Sequence, residues 1–142
     1  MKGSKGSEST NTGLTPTYIK GITWFFGIGI NKYKNFSQLY NAVKDVLDFE
    51  ALLRKRYEVF EESRSKVLRN GEATIEKILD YFDHLRKNVK ESDRLIIYYS
   101  GHGHCDKASG RGFWIPVDAK IESRGLYIHN SCLLYTSPSP RD

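Results

Sequence analysis

The sequence predicts an α/β fold built on a parallel sheet, and three observations carry that expectation. The run 22–30, ITWFFGIGI, and the run 95–99, LIIYY, are continuously apolar, as in strands buried on both faces. Two amphipathic segments precede the second run, each with apolar residues at steps of three and four. The resulting order, strand, helix, strand, helix, strand, is that of right-handed crossover units.

The elements follow in order. Residues 22–30 form the first strand and 31–37 a polar loop. A helix over 38–54 carries the stripe Leu39, Ala42, Val43, Val46, Phe49 and Leu53. A short second strand is expected over 57–60, then a charged loop over 61–71. The second helix, 73–89, repeats the stripe with Ile75, Ile78, Leu79, Phe82, Leu85 and Val89. Ser92 and Asp93 make a turn into the strand 95–99, the strongest such signal in the chain. Residues 113–117 read as one more short extended piece. Residues 1–20 read as a disordered leader rich in Gly, Ser, Thr and Lys, and 132–142 as a disordered or non-native tail. The last ten residues, LLYTSPSPRD, look like translated adapter sequence.

Composition narrows the function. In 142 residues, 39% hydrophobic and 27% charged, there is material for one domain with one core. No apolar run approaches the ~18 residues of a membrane span. The leader lacks the apolar stretch of a secretory signal, so a cytoplasmic protein is expected. The net charge of +5 is dispersed. Its densest cluster, Arg54, Lys55 and Arg56, is answered at once by Glu58, Glu61 and Glu62, which argues for a solvated helix end over a nucleic-acid surface. Two cysteines, Cys105 and Cys132, do not make a disulfide framework.

Ligands of open α/β sheets bind beyond the carboxyl ends of strands. After LIIYY the chain offers Ser100, Gly101, His102 and Gly103. Histidine suits proton transfer near neutral pH, and glycines on both sides let a backbone turn sharply. A turn residue with no chemistry is the competing interpretation. His102, His104, Cys105 and Asp106 crowd one loop and raise the question of zinc, but they are too close in sequence for a closed tetrahedral site. No metal is expected. Gly27 to Asn31, GIGIN, has the position of a phosphate-binding turn but lacks its third glycine and any Gly-Lys-Ser/Thr. Close packing explains these glycines better than nucleotide binding.

The segment YYSGHG, 98–103, resembles the histidine motif of the caspase, metacaspase and paracaspase superfamily. FGIGINKYKN (26–35), LYNAVKDV (39–46) and GFWIPVDA (112–119) resemble its first strand and loop, the opening of its first helix, and the segment after the histidine loop. The likeness covers about 23–131, assigned to one caspase-like domain over 21–131. It implies the caspase-like (caspase-hemoglobinase) fold, a three-layer sandwich on a parallel sheet, here incomplete.

The resemblance also implies a cysteine endopeptidase acting on protein or peptide substrates through a Cys-His dyad. His102 would be the histidine, and the Gly103 N–H an oxyanion donor. Asp45 and Ser100 match positions of the substrate pocket, where Asp45 would pair with a substrate guanidinium. In the family the cysteine follows the histidine by roughly fifty residues. Only forty follow His102 here. Neither Cys105, on the same loop, nor Cys132 matches it, so the dyad is expected to be completed outside this sequence, with further domains a prospect there. An inactive caspase-like module that binds or regulates is the alternative. No cofactor is implied; calcium dependence is left open. A fragment missing strands should expose a sheet edge and aggregate.

Overall fold

The computed structural model describes residues 21–57, 62–121 and 128–129. Strand β1, Thr23–Gly29, is buried at every position. Helix α1, Ala42–Arg56, follows. A 3-10 turn, Glu62–Arg64, leads into β2, Ser65–Arg69. After a second such turn, Asn70–Glu72, come α2, Ile75–Asn88, and β3, Arg94–Ser100. The order in the sheet is β2-β1-β3, all parallel, with Gly29 opposite both Arg69 and Ser100.

Side chains alternate across β1 and divide the core in two. Trp24, Phe26 and Ile28 pack with Ile78, Phe82 and Leu85 of α2. Phe25 packs with Val46 and Leu53 of α1. The sheet therefore lies between two helices, three layers in all, as expected. On the α1 side Phe25 alternates with Gly27 and Gly29, and α1 rests on those two glycines. A Cβ at Gly27 would lie 2.5 Å from Val46 Cγ1, and one at Gly29 would lie 2.9 Å from Val43 Cα. These glycines serve close packing.

The second strand is displaced from its expected place. Tyr57 ends α1, donating its N–H to Leu53 O at 3.0 Å, while 58–60 lie outside the described residues. The strand is Ser65–Arg69, inside what reads as a charged loop. Among the described residues it borders the sheet, pairs only with β1, and buries only Leu68 fully. Charged residues at Lys66 and Arg69 are what an edge strand tolerates. Its apolar signal is correspondingly weak.

Helix α1 begins at Ala42, four residues later than its apolar pattern suggests. Asn31 decides this: its Oδ1 accepts from the N–H groups of Ala42 (2.8 Å) and Val43 (3.3 Å). A side chain at the end of β1 thus caps the helix. Leu39 precedes the helix. In α2, which spans less than 73–89, Leu79 is 45% exposed and lies off the buried stripe.

At the opposite end of the sheet, the turn at Asp93 fastens β3 to β1. Its carboxylate accepts from Ile22 N (3.2 Å), Trp24 Nε1 (3.0 Å) and Lys90 N (2.9 Å). Partial burial works against the charge, but these donors outweigh it and hold the carboxyl below its ordinary value. The expected leader, 1–20, and tail, 132–142, lie outside the described residues.

Candidate active site

Beyond β3 the chain does not stay a loop. Gly103–Asp106 (β4) and Arg111–Trp114 (β5) form an antiparallel hairpin, with Ile128–His129 (β6) paired to β5 in a second small sheet. The extended piece expected over 113–117 thus begins earlier, at Arg111. His102 is the hinge between the two sheets, at the carboxyl end of β3.

The imidazole of His102 is half-buried between that hinge and the loop after β1. Its Nε2 lies 2.7 Å from the carbonyl oxygen of Ser37. A carbonyl has no proton to give, so Nε2 carries a hydrogen in this contact, and in the neutral ring Nδ1 is left as the acceptor. The ring packs against Tyr33 at 4.7 Å and Phe36 at 5.9 Å between centroids. The loop 31–37, polar by composition, is therefore the wall that orients the histidine.

The backbone of His102 is fixed from below by two phenols. Its N–H donates to Tyr33 Oη at 2.9 Å, and its carbonyl accepts from Tyr99 Oη at 2.5 Å. Tyr33 Oη donates to Ile115 O at 3.0 Å, and Ile115 N donates to His102 O at 3.2 Å. The ring of Tyr99 stacks on Trp114, centroids 4.5 Å apart and planes 6° apart. The hairpin, β3 and the loop after β1 thus meet at one peptide.

Burial pushes the hydroxyls of Tyr33 and Tyr99 above the ordinary 10.0, and burial does the same to Tyr81 in α2. The sign of the linkage follows. The folded chain keeps protons that the unfolded chain releases above pH 10, so the stabilisation is complete below pH 10 and lost as pH rises further. The urea midpoint is expected to hold level up to pH 10 and then fall, with tyrosinate absorbance appearing together with unfolding. Tyrosinate appearing in full before any loss of secondary structure would contradict the burial of these phenols.

The other sequence candidates take their places around this centre. Ser100 ends β3, half-buried, and its carbonyl accepts from Ile30 N at 3.0 Å. By strand alternation it shares the α1 side of the sheet with Ile96 and Tyr98. Asp45, in the first turn of α1, is exposed on that same side. It lines a shallow depression of about 240 Å³ with Asp48, Phe49, Leu52 and Tyr98. The structure therefore puts Asp45 and Ser100 on one side of the sheet, while the contacts of the His102 ring are with the loop after β1.

Gly101 and Gly103 differ from the expectation of a sharp turn. Among the described glycines only Gly110, in the hairpin turn, has a positive φ, 73°. At Gly101 a Cβ would lie 2.7 Å from both Tyr33 Oη and Tyr99 Oη, so the glycine admits the phenols. At Gly103, which is exposed, the nearest atom to a Cβ is Phe113 O at 3.5 Å, an ordinary contact distance that leaves room for a side chain. Cys105 is exposed on β4, opposite Gly112. Among the described residues no three His, Cys, Asp or Glu side chains converge as a metal site, and no helix is long and apolar enough to cross a membrane.

Sequence inspection missed Ser37, Tyr33 and Tyr99. Tyr33 and His102 are 69 residues apart, and no periodicity or spacing links them.

A parallel sheet between helices, with an imidazole at the carboxyl end of one strand, is the layout of an α/β domain with its candidate site where ligands of such sheets bind. Residues 27–136 match the caspase domain family, Peptidase C14, which is well over half of the chain. The chain belongs to that family of cysteine peptidases. It is also similar to a metacaspase-3 from Trypanosoma cruzi (strain CL Brener), at 34% identity over 100 residues. That alignment takes in 66% of this chain and 28% of the relative, so the chain spans little more than a quarter of that protein's length.

Proposed function

We propose that this chain is the histidine-bearing part of a cysteine endopeptidase in which His102 works with a cysteine outside this sequence. The carrying observation is the hydrogen bond from Nε2 to Ser37 O, 2.7 Å, which leaves Nδ1 as a base on the crest of the sheet. Such a base takes a proton from a thiol, and the resulting imidazolium returns it to the leaving amine.

Sheet topology supports a place for the nucleophile. Among the described residues β3 pairs only with β1. Its residues from Leu95 to Ser100 stay half-buried although this is a strongly apolar strand. A further strand pairing along that edge would end beside His102. The exposure of Gly103 suits a backbone N–H that receives a carbonyl oxygen turning into an oxyanion, a contact worth ~3 kcal/mol of barrier. Asp45, on the α1 side with Ser100, supplies a carboxylate for a substrate Arg or Lys, and cleavage after these residues is the specificity proposed.

The test uses two polypeptides. The 142-residue chain is expected to leave fluorogenic Arg and Lys peptides intact. A longer product of the same reading frame that includes the cysteine is expected to cleave them, and Asp45→Ala in it to raise KM about tenfold. Cleavage by the 142-residue chain that His102→Ala abolishes would place the nucleophile inside this sequence. A longer chain with both residues intact and no hydrolysis would make the domain a binding module.

A further inference from the structure

From the hydrogen bonds around the His102 peptide we infer that Tyr33 and Tyr99 form a two-phenol clasp that positions the histidine, and that Gly101 is a glycine because the clasp closes over it. The inference rests on the proposed role of His102 for its catalytic meaning, but the clasp itself is tested without any enzyme activity.

Four hydrogen-bonding groups meet at this hinge: the N–H and C=O of His102 and those of Ile115. Ile115 N–H and His102 O meet directly at 3.2 Å, and two hydroxyls with one proton each complete the set. Tyr99 gives its proton to His102 O, at 2.5 Å, and Tyr33 gives its proton to Ile115 O, at 3.0 Å. Tyr33 Oη then accepts from His102 N–H at 2.9 Å, and the Ile115 N–H is shared between His102 O at 3.2 Å and Tyr99 Oη at 3.3 Å. Tyr99 Oη also lies 3.2 Å from Ile115 O and 3.3 Å from Tyr33 Oη, so each of these groups has a partner within the cluster. The assignment requires both phenols to be neutral, and burial raises both above their ordinary range.

Tyr33 has a second part in the clasp. Its ring lies 4.7 Å from the imidazole whose backbone its hydroxyl holds. One side chain thereby fixes both where the His102 main chain sits and how far its ring can swing. The Ser37 carbonyl fixes the ring from the far side. Neither phenol has to touch the substrate. Both are positioning residues that act through the histidine.

Gly101 provides an independent check. A methyl group there would meet both hydroxyl oxygens at 2.7 Å and Tyr99 Cζ at 3.0 Å, while its backbone is not in the left-handed region. The clasp, and not the backbone conformation, excludes a side chain.

The first measurement uses this chain unaltered. His102 lies between β3 and β4, outside both strands. Its amide is expected to exchange with deuterium at least about tenfold more slowly than an unprotected amide. Exchange at the unprotected rate overturns the clasp with no variant needed. The second measurement is nitrogen NMR of the imidazole in Tyr33→Phe. The His102 amide is expected to lose about tenfold in protection, and the ring to pass from one fixed tautomer to an averaged signal. A folded Tyr33→Phe chain with the parent's imidazole signals and amide exchange also overturns it. Gly101→Ala is expected to cost less stability in a Tyr33→Phe/Tyr99→Phe background than in the parent; an equal cost means the hydroxyls do not close over Gly101. None of these readouts depends on hydrolysis, so an inactive longer chain would defeat the peptidase proposal and leave the clasp standing.

Discussion

Replacing His102 by alanine, in a longer chain that carries the cysteine, is expected to lower kcat/KM for peptide hydrolysis by about 10³-fold. The magnitude follows from what the ring is arranged to do. In the proposed role, with Nε2–H committed to Ser37 O, the base is Nδ1, and its loss removes both the step that forms the thiolate and the step that protonates the amine. In that role the fall should appear in kcat, since an imidazole that moves protons does not grip the peptide. Ser37→Ala is the matched control. The acceptor is a main-chain carbonyl, which alanine retains, and the side-chain oxygen lies farther off, at 3.4 Å. Its effect is expected to stay within about threefold. A Ser37→Ala loss as large as that of His102→Ala would mean that the side chain, and not the carbonyl, orients the ring. A His102→Ala chain that is folded and still active would remove His102 from the chemistry.

The second large effect is on stability. Gly29→Ala is expected to destabilise the domain by about 3 kcal/mol, at the upper end for added methyl groups in packed cores. The opposing atoms are main-chain: Val43 Cα at 2.9 Å and Ala42 O at 3.0 Å. A side chain could rotate away; these atoms cannot move unless α1 lifts from β1. Alanine also lowers the entropy of the unfolded chain, which offsets less than about 1 kcal/mol. Gly103→Ala meets nothing closer than 3.5 Å and should stay within about 0.5 kcal/mol. Urea unfolding of the two variants side by side decides the matter. Equal midpoints would show that α1 does not rest on β1 as described. On the role proposed for Asp45, which α1 carries, Gly29→Ala in a longer chain should weaken binding of basic substrates as well.

These two residues also mark how far the sequence could be followed. The crossover order, the apolar runs of β1 and β3 and the α2 stripe were legible because each expresses a local periodicity set by burial on one or both faces. Gly27 and Gly29 were legible as packing glycines, because no phosphate-binding pattern surrounds them. His102 was legible because a polar group between glycines stands out at the end of an apolar strand. Strand β2 was not, since Ser65–Arg69 buries one residue fully and an edge strand needs little apolar content. The start of α1 was not, since its cap is Asn31, eleven residues earlier than Ala42.

What the sequence by itself determined is the α/β order, the two helical faces and the histidine at the end of β3. Tertiary structure alone decided which way that histidine points, what holds it, and why Gly101 has no side chain. The reason is physical. Periodicity records how each residue is buried relative to its own neighbours in the chain. Hydrogen bonds such as those of Tyr33 to His102 and Ile115 join segments 69 and 82 residues apart, and only the folded chain brings them within reach.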